Sequence, residues 1–353
     1  MTKRILPREL HAFCVEAMRK AGMRDADART TADVLVTTDT WGVTTHGTKS
    51  LRQYLLRMRS GGLDPLAEPQ VVSEGPSWAI LDGRNAMAMV ASCAGMDLAV
   101  RKAQGAGLGY VGVKNSCHFG AAGYYAMIAA QRDMFGFAMS NADPNMVVPG
   151  GRGKVIGNNP FAYAAPAGEE KPILLDIALS AVAAGKIHAA TTLGKRTIPD
   201  NWLVDQDGLP TSDPDMYPFR ACLVPMAGHK GYGLALMVEV LAAVLAGAGV
   251  TREVKSWMLD DPSKPTLHGH AFLAVNVGAL MPIAEFKARM DQMIREIRAA
   301  PKAKGSERIY LPGEMEWERR EAALRNGMEL PPDVIASLVG LAEDWELDAR
   351  WLQ

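Results

Sequence analysis

The sequence predicts an α/β protein, and residues 110–166 give the clearest evidence for that class. A β-rich run at 110–114 precedes an apolar helix expected at about 120–131, and strands follow at 135–139 and up to Ala165. Polar side chains come directly after these strands, beside glycines that let a ligand approach the backbone. In α/β proteins, this edge of the sheet is where ligands bind.

The composition argues against several other classes of protein. The chain has 353 residues, 48% hydrophobic and 22% charged, so it can bury a large core. A net charge of −1 gives no electrostatic basis for binding nucleic acid or an anionic membrane. The four cysteines form no C-x-x-C pair, which favours a reducing cytoplasm and argues against a structural zinc site. We predict no metal site and no signal peptide.

The N-terminal part is predicted to be helical up to a polar turn that contains a histidine. Helices are expected at 6–21 and at about 25–38, and Thr45 and His46 then precede a helix that ends near Met58. A histidine at a helix start, preceded by a hydroxyl that can orient it, is a candidate acid/base group. The alternative is a capping histidine without a catalytic role.

The next segment contains a glycine motif in an unusual context. A Pro/Gly-rich linker is expected at 61–77, then a strand at 78–82 and a helix at 87–104. Residues 107–112 match the G-x-G-x-x-G pattern of Rossmann dinucleotide sites. That pattern must follow a strand and begin a helix, whereas this one follows a helix and begins a strand. We interpret it as a helix cap and a turn.

The second half of the chain continues the alternation of strands and helices. His229 and Lys230 begin a long apolar run, 231–250, which we interpret as a buried helix and not as a membrane span. Free N–H groups and a cation at a helix start suit a phosphate, although a flexible glycine cap with a solvated lysine is the alternative. The other expectations are strands at 173–177 and 270–275, a strand and turn at 309–314, helices at 181–190 and 283–299, a loop at 194–214 and two C-terminal helices.

Seven motifs in a fixed order make the chain resemble a known family. They are the histidine turn at 44–47, NSCHFG, SNADP, GNNP, DIALS with AAGKI, GHKGYGLAL and LPGE. Together they resemble the type-2 malate/L-lactate dehydrogenase family over about residues 6–338. That family also contains sulfolactate and ureidoglycolate dehydrogenases, diketogulonate reductases and Δ1-piperideine-2-carboxylate reductases.

The resemblance implies a fold and a reaction. The expected fold is a non-Rossmann NAD(P)-binding α/β fold, with a central mixed sheet in a domain at 76–279. Residues 1–75, completed by about 280–353, are expected to form a helical domain. The implied reaction moves a hydride between the nicotinamide of NAD or NADP and C2 of a 2-oxo acid, 2-hydroxy acid or cyclic imino acid. The implied partners are a small-molecule carboxylic acid and a second copy of the chain in a homodimer, with the active site near the subunit interface.

The resemblance also implies roles for individual residues. Thr45 and His46 match a Ser-His pair whose histidine is a proposed proton donor, and His118 matches a second histidine that is the acid/base group in some members. We favour His46 as the proton donor and expect His118 to line both the cofactor site and the substrate site. The sequence does not decide which histidine is the donor. Cofactor contacts are implied for His118, Phe119, Gly120, Ala121, Ala122, Ser140, Asp176, Ile177, Ala178, His229, Lys230, Pro312, Gly313 and Glu314.

Departures from the family pattern concern the substrate. Ser50 stands where the family often has an arginine for the substrate carboxylate, and Arg52 lies roughly 200° around a helix from it. Asn158 replaces a threonine that contacts the substrate, and Lys186 stands where some members have an acidic residue. We therefore expect a substrate other than simple malate or lactate, with Ser50, Asn158 and Lys186 near it and Lys186 as a candidate partner of its carboxylate.

Two other functions are consistent with the sequence. Cys117 and His118 suggest a thiol enzyme, but adjacent residues on an extended segment point to opposite faces and make a poor nucleophile–base pair. A catalytically inactive homologue that still binds the cofactor is the other alternative, because Ser50 and Asn158 depart from the pattern.

Overall fold

The structure, a computed structural model, describes residues 4–352. Its helices are α1 (Pro7–Lys20), α2 (Asp25–Thr40), α3 (Leu51–Ser60), α4 (Ala88–Ala106), α5 (Ala122–Ala130), α6 (Ala184–Thr192), α7 (His229–Glu239), α8 (Val277–Leu280), α9 (Ile283–Arg298), α10 (Glu314–Asn326) and α11 (Pro332–Trp345). Its strands are β1 (Gln70–Glu74), β2 (Trp78–Asp82), β3 (Leu108–Ser116), β4 (Met134–Ser140), β5 (Phe161–Ala165), β6 (Ile173–Ile177), β7 (Leu203–Val204), β8 (Pro210–Thr211), β9 (Cys222–Leu223) and β10 (His268–Asn276).

A mixed sheet of seven strands forms the centre of the fold, in the order β1-β2-β3-β10-β4-β5-β6. β2 and β3 run parallel, and the other neighbouring pairs run antiparallel. The doubly wound Rossmann sheet is mostly parallel. The strand order therefore confirms the expected non-Rossmann α/β class with a central mixed sheet.

Helices from both ends of the chain pack together beside this sheet. α2 packs on α1 and α10, and α11 packs on α1 and α3. Ile5 and Met328 exchange two backbone hydrogen bonds of 2.9 Å, which join the two ends directly. The helical part therefore draws on both terminal segments, as expected. The exact domain boundaries near 75 and 280 stay a prediction.

The G-x-G-x-x-G segment has the structural role that its context predicts. Gly107 has a φ of 81° immediately after α4, and β3 begins at the next residue. A Cβ on Gly109 would overlap the carbonyl oxygen of Ala99 in α4. Glycine at this position lets the strand lie directly against the backbone of the helix.

Replacement of Gly109 by alanine is expected to lower the free energy of unfolding by about 1–3 kcal/mol, because strand or helix must move to relieve the overlap. Gly105 is a matched control, since a Cβ there meets no atom within 4 Å. Gly105→Ala is expected to raise the free energy of unfolding by about 0.5–1 kcal/mol, through lower backbone entropy of the unfolded chain. Urea titrations measure both effects, and equal effects of the two variants would contradict the close-approach explanation.

Three expectations for connecting segments were wrong. The linker expected at 61–77 contains β1, which pairs with β2 at the edge of the main sheet. The loop expected at 194–214 contains β7 and β8, which form a small sheet with β9. The strand expected at 309–311 is absent from the described structure. Short edge strands such as the fully exposed β1 have no buried face, so no alternation of apolar residues marks them.

The apolar helix that begins at His229 is not buried on all sides, contrary to the sequence-based expectation. α7 continues into a π-helical turn, Val240–Val244, and its outer residues Leu234, Leu236 and Val244 are 41%, 41% and 55% exposed. Apolar content alone does not distinguish a fully buried helix from one with an unpaired apolar face. Within residues 4–352, no helix combines the length and the apolar character that crossing a bilayer requires.

Candidate active site

A cleft of about 370 Å³ lies where the histidine turn, the start of α5, the end of β6 and the turn before α10 meet. This volume is within the usual range of small-molecule sites. The fold brings thirteen of the predicted site residues to its walls: Thr45, His46, His118, Phe119, Gly120, Ala121, Ala122, Ser140, Asn158, Asp176, Ala178, Pro312 and Gly313.

The first histidine of the cleft, His46, is oriented by its neighbour in the chain. The Thr45 hydroxyl lies 2.9 Å from His46 Nδ1, which leaves Nε2 as the other ring nitrogen. α6 begins against this turn, because a Cβ on Gly185 would lie only 2.7 Å from Thr45 Cγ2. The ring is half-buried, and desolvation lowers the pKa of His46 from its ordinary value.

A buried carboxyl group anchors the turn from behind. Asp39 Oδ2 accepts hydrogen bonds from the backbone N–H of Thr48 at 3.0 Å and from its hydroxyl at 2.6 Å. Asp39 Oδ1 has no hydrogen-bond partner within the described part of the chain. Burial raises the pKa of Asp39 to about 7, against the lowering effect of the bonds from Thr48. A Cβ on Gly47 would overlap this carboxyl group, so glycine lets the turn lie on Asp39.

The second histidine, His118, lies beside the first and is held by two aromatic side chains. The ring centroids of His46 and His118 are 5.4 Å apart. The Tyr54 hydroxyl lies 2.5 Å from His118 Nδ1, and the Trp257 ring stacks on the imidazole at 4.3 Å. Burial lowers the pKa of His118 well below its ordinary value, and repulsion from His46 and the two histidines of β10 lowers it further.

The two histidines of β10, His268 and His270, were not predicted as site residues. Both ring nitrogens of His270 have hydrogen-bond partners, because Ser140 Oγ lies 2.9 Å from its Nδ1 and Ser116 Oγ lies 2.8 Å from its Nε2. His268 lines the cleft with Nδ1 3.0 Å from Thr266 Oγ1, and burial lowers its pKa to about 3. Residues two apart on a strand share a face, and this H-x-H spacing was the available sequence signal.

Small residues and a carboxyl group shape the wall at the start of α5. Asp176 Oδ2 accepts a hydrogen bond of 2.7 Å from the N–H of Gly123, in the first turn of the helix. The side chain is exposed at the open cleft. Desolvation by the surrounding protein raises the pKa of Asp176 to about 6, and repulsion from Glu316 makes a smaller contribution in the same direction. Gly120, with a φ of 77°, turns the chain from His118 into this helix.

A buried network fixes the loops that follow β4 and precede β5. Glu239 accepts hydrogen bonds from Asn159 Nδ2 at 2.9 Å and from the N–H of Thr251 at 2.8 Å. Asn141 Nδ2 lies 3.4 Å from the same carboxylate. Asn158, next to this network, lines the cleft. The loop bearing that predicted substrate contact is therefore fixed by α7.

Six predicted site residues do not line the cleft of a single chain: Ser50, Ile177, Lys186, His229, Lys230 and Glu314. Lys186, His229 and Lys230 are exposed, whereas Ser50 is buried. The Glu314 carboxylate accepts hydrogen bonds from Arg298 at 2.7 Å and Arg308 at 3.0 Å, so its oxygens are already paired. The functional roles of these six residues stay predictions.

The charges around the cleft limit how it can bind an acid. Asp176 and Glu316 line it, and none of the described lining residues is lysine or arginine. Arg52 pairs with Asp344 of α11 at 2.7 Å and is not directed at the cleft. A substrate carboxylate would therefore rely on neutral donors or on a cation from outside the cleft of a single chain.

The protein is thus an α/β protein built on a mixed sheet, with two neighbouring histidines in its cleft, and proteins that are similar to it over nearly its whole length are named dehydrogenases and reductases. The model of the malate/L-lactate dehydrogenase family matches residues 5–339, and the chain belongs to that family.

Proteins from three sources show the range of relatives. The chain is 36% identical to a malate dehydrogenase of Pyrococcus abyssi over 346 residues, which cover 96% of this chain and 94% of that one. It is 34% identical to the ureidoglycolate dehydrogenase (NAD(+)) of Escherichia coli K12 over 330 residues, which cover 94% and 93%. The crystal structure of a Δ1-piperideine-2-carboxylate reductase from Pseudomonas syringae superposes with a TM-score of 0.85, at 28% identity, covering 97% and 100%. The family therefore includes enzymes named for hydroxy acids and for a cyclic imino acid.

Proposed function

We propose that the protein is an NAD(P)-dependent oxidoreductase that transfers a hydride between the nicotinamide and C2 of a 2-oxo acid, 2-hydroxy acid or cyclic imino acid. One observation carries this proposal. His46 and His118 lie with ring centroids 5.4 Å apart in the cleft, and each has Nδ1 beside a hydroxyl group. Each ring therefore keeps Nε2 for the oxygen or nitrogen bonded to C2, which must gain a proton on reduction.

The two histidines have different roles in this proposal. His118 is surrounded by three other histidines that oppose its protonation, whereas desolvation alone lowers the pKa of His46. His46 is therefore the easier of the two to protonate, and we assign it the proton transfer. Thr45 fixes the direction of its ring. His118 remains neutral and orients the reacting group by hydrogen bonding.

The cofactor part of the proposal rests on the small-residue wall. Gly120, Ala121 and Ala122, together with Ala178 across the cleft, leave room for an extended ligand close to the backbone. When bound, the nicotinamide would supply or accept the hydride. The side chain of Asp176 and the turn at Pro312 and Gly313 would hold the remainder of the cofactor. The further contacts proposed by family resemblance are Phe119, Ser140, Ile177 and Glu314, and the choice between NAD and NADP is left to experiment.

A homodimer would complete the site. The exposed apolar face of α7 is the kind of surface that subunits cover, and His229 and Lys230 lie exposed at the start of the same helix. In this proposal, these two side chains reach the cofactor phosphates across the subunit interface. Asn158 and Lys186 are proposed to contact the substrate. Lys186 directly follows Gly185, which lines the cleft. Equilibrium sedimentation measures the assembly.

The thiol-enzyme alternative is disfavoured by the surroundings of Cys117. Its side chain is buried, and burial raises the pKa of the thiol. A nucleophilic cysteine needs the thiolate and an exposed, electropositive setting. The inactive-homologue alternative makes a separate prediction, namely cofactor binding without turnover.

Thermal unfolding with NAD, NADH, NADP and NADPH, each added separately, tests the proposal. One cofactor pair is expected to stabilise the protein by about 2.7 kcal/mol at a hundred times its dissociation constant. The protein with that cofactor is then screened by nicotinamide absorbance against 2-oxo acids, 2-hydroxy acids and cyclic imines. Turnover of one of these classes supports the proposal. Binding without turnover favours the inactive homologue, and no stabilisation at millimolar concentration contradicts the cofactor assignment.

A further inference from the structure

One face of α3 contacts His118 and its surroundings. Gln53 and Tyr54 are neighbours on this helix, Arg57 lies about one turn further on, and each of the three forms a hydrogen bond there. The Tyr54 hydroxyl reaches His118 Nδ1 at 2.5 Å. The Ser50 hydroxyl, one turn earlier in the chain, lies near the Tyr54 hydroxyl and has a lowering effect on the pKa of that phenol. The Tyr54 phenol is therefore the group of this helix that meets the imidazole directly.

Trp257 forms the rear wall of this arrangement. Its ring stacks on His118 with an interplanar angle of 8° and on Tyr54 at 5.0 Å with an angle of 24°. Its carbonyl oxygen accepts hydrogen bonds from Gln53 Nε2 at 3.2 Å and Arg57 Nη1 at 3.3 Å. The same helix thus holds both the imidazole and the indole that covers it.

Arg57 explains why the loop around Trp257 keeps its position. Its side chain is fully buried, and besides the Trp257 carbonyl it donates to the backbone carbonyls of Asp261 at 3.4 Å and Lys264 at 2.9 Å. A buried guanidinium whose partners are loop carbonyls fixes several points of that loop at once. The stack on His118 is therefore built on a rigid support.

The direction of the hydrogen bonds sets the tautomer of His118. Burial raises the pKa of Tyr54 well above its ordinary value, so the phenol keeps its proton. A buried phenol that keeps its proton must donate it to an acceptor, and His118 Nδ1 lies within hydrogen-bond distance of the fully buried Tyr54 hydroxyl. His118 Nδ1 is therefore the acceptor of this bond. The proton of the neutral imidazole therefore lies on Nε2, which has no partner in the described part of the chain.

We propose that Tyr54 is a positioning residue, which holds His118 in the tautomer with hydrogen on Nε2, ready to donate to the reacting group in the cleft. Ser50 sets the direction of the Tyr54 hydroxyl, and Trp257 sets the plane of the ring. The expected effect of Tyr54 on turnover rests on the proposed function. The expected tautomer of His118 does not depend on that function. It also gives Ser50 a role behind the site that does not require direct contact with the substrate.

Nitrogen-15 NMR of the imidazole groups, assigned with a His118→Gln variant, tests the tautomer without any substrate. The wild-type protein is expected to show His118 with hydrogen on Nε2 only, and Tyr54→Phe, which keeps the ring stack, is expected to show a mixture of tautomers. Ser50→Ala is a second, milder variant with a smaller shift in the same direction. Tyr110→Phe is the matched control: it removes a hydroxyl that donates to the Leu241 carbonyl at 2.7 Å, away from the cleft.

Turnover provides the second measurement. Tyr54→Phe is expected to lower kcat roughly 10- to 100-fold with little change in KM, by analogy with the loss of a hydrogen-bond partner that orients a metal-binding histidine. The Tyr110→Phe control is expected to leave kcat unchanged. Unchanged tautomer and turnover in Tyr54→Phe would overturn the inference. Absence of turnover in the wild-type protein would instead contradict the proposed function, and the NMR result would still decide the role of Tyr54.

Discussion

Replacement of His46 by glutamine is expected to lower kcat by about 100- to 10,000-fold, the usual contribution of a positioned acid/base group. Glutamine keeps the polarity and approximate size of the side chain but cannot transfer a proton at neutral pH. The cofactor dissociation constant is expected to change little, because the loss concerns proton transfer and not the small-residue wall. Stopped-flow absorbance of the nicotinamide measures the chemical step directly.

The pH dependence of the wild-type enzyme has a defined sign in this scheme. A donor must be protonated, so kcat/KM for reduction should fall as pH rises through the pKa of His46, which lies below the ordinary value of 6.5. Oxidation needs the neutral imidazole as a base and should therefore increase over the same range.

Two further variants make the His46 result specific. His11→Gln removes an imidazole that pairs with Asp33 on neighbouring helices at 3.0 Å, outside the cleft, and is expected to retain normal kcat. His118→Gln addresses the alternative assignment. If it abolishes proton transfer while His46→Gln retains most of the activity, the roles of the two histidines are the reverse of those proposed.

Asp39→Asn is expected to remove a large pH dependence from the free energy of unfolding. Burial raises the pKa of Asp39 from 3.8 to about 7, so between these values the folded protein binds more protons than the unfolded chain. Stability that is fully present below about pH 4 is lost as pH rises and is gone above about pH 7. The shift of about three pKa units corresponds to a loss on the order of 4 kcal/mol.

The measurement compares urea unfolding of wild type and Asp39→Asn at pH 5 and pH 8. The difference between the two proteins isolates this carboxyl group, because Cys14, which faces it from α1, and the buried histidines are present in both. Asparagine can still accept the bonds from Thr48 with its amide oxygen. Asp207→Asn, which removes an exposed carboxylate, is the control and is expected to keep the wild-type pH dependence. An unchanged pH dependence in Asp39→Asn would contradict a protonated, buried Asp39.

The sequence determined the local structure to a large extent. β2 and β6 lie at the residues where the sequence predicted strands, and β2 shows the alternation of buried and more exposed residues that is typical of a half-buried strand. The context of Gly107 correctly excluded a Rossmann site. Thr45, His46 and His118 could be singled out because each follows or precedes a recognisable element, and the ordered motifs then gave the family.

The tertiary structure alone decided how these elements meet. It placed His46 beside His118 and put Tyr54 and Trp257 behind the second imidazole. It also turned Arg52 toward Asp344, and it left the outer face of α7 uncovered. Apolar periodicity reports which face of a segment is buried. It carries no information on which distant side chain lies opposite, because that depends on how helices and strands far apart in the sequence pack together.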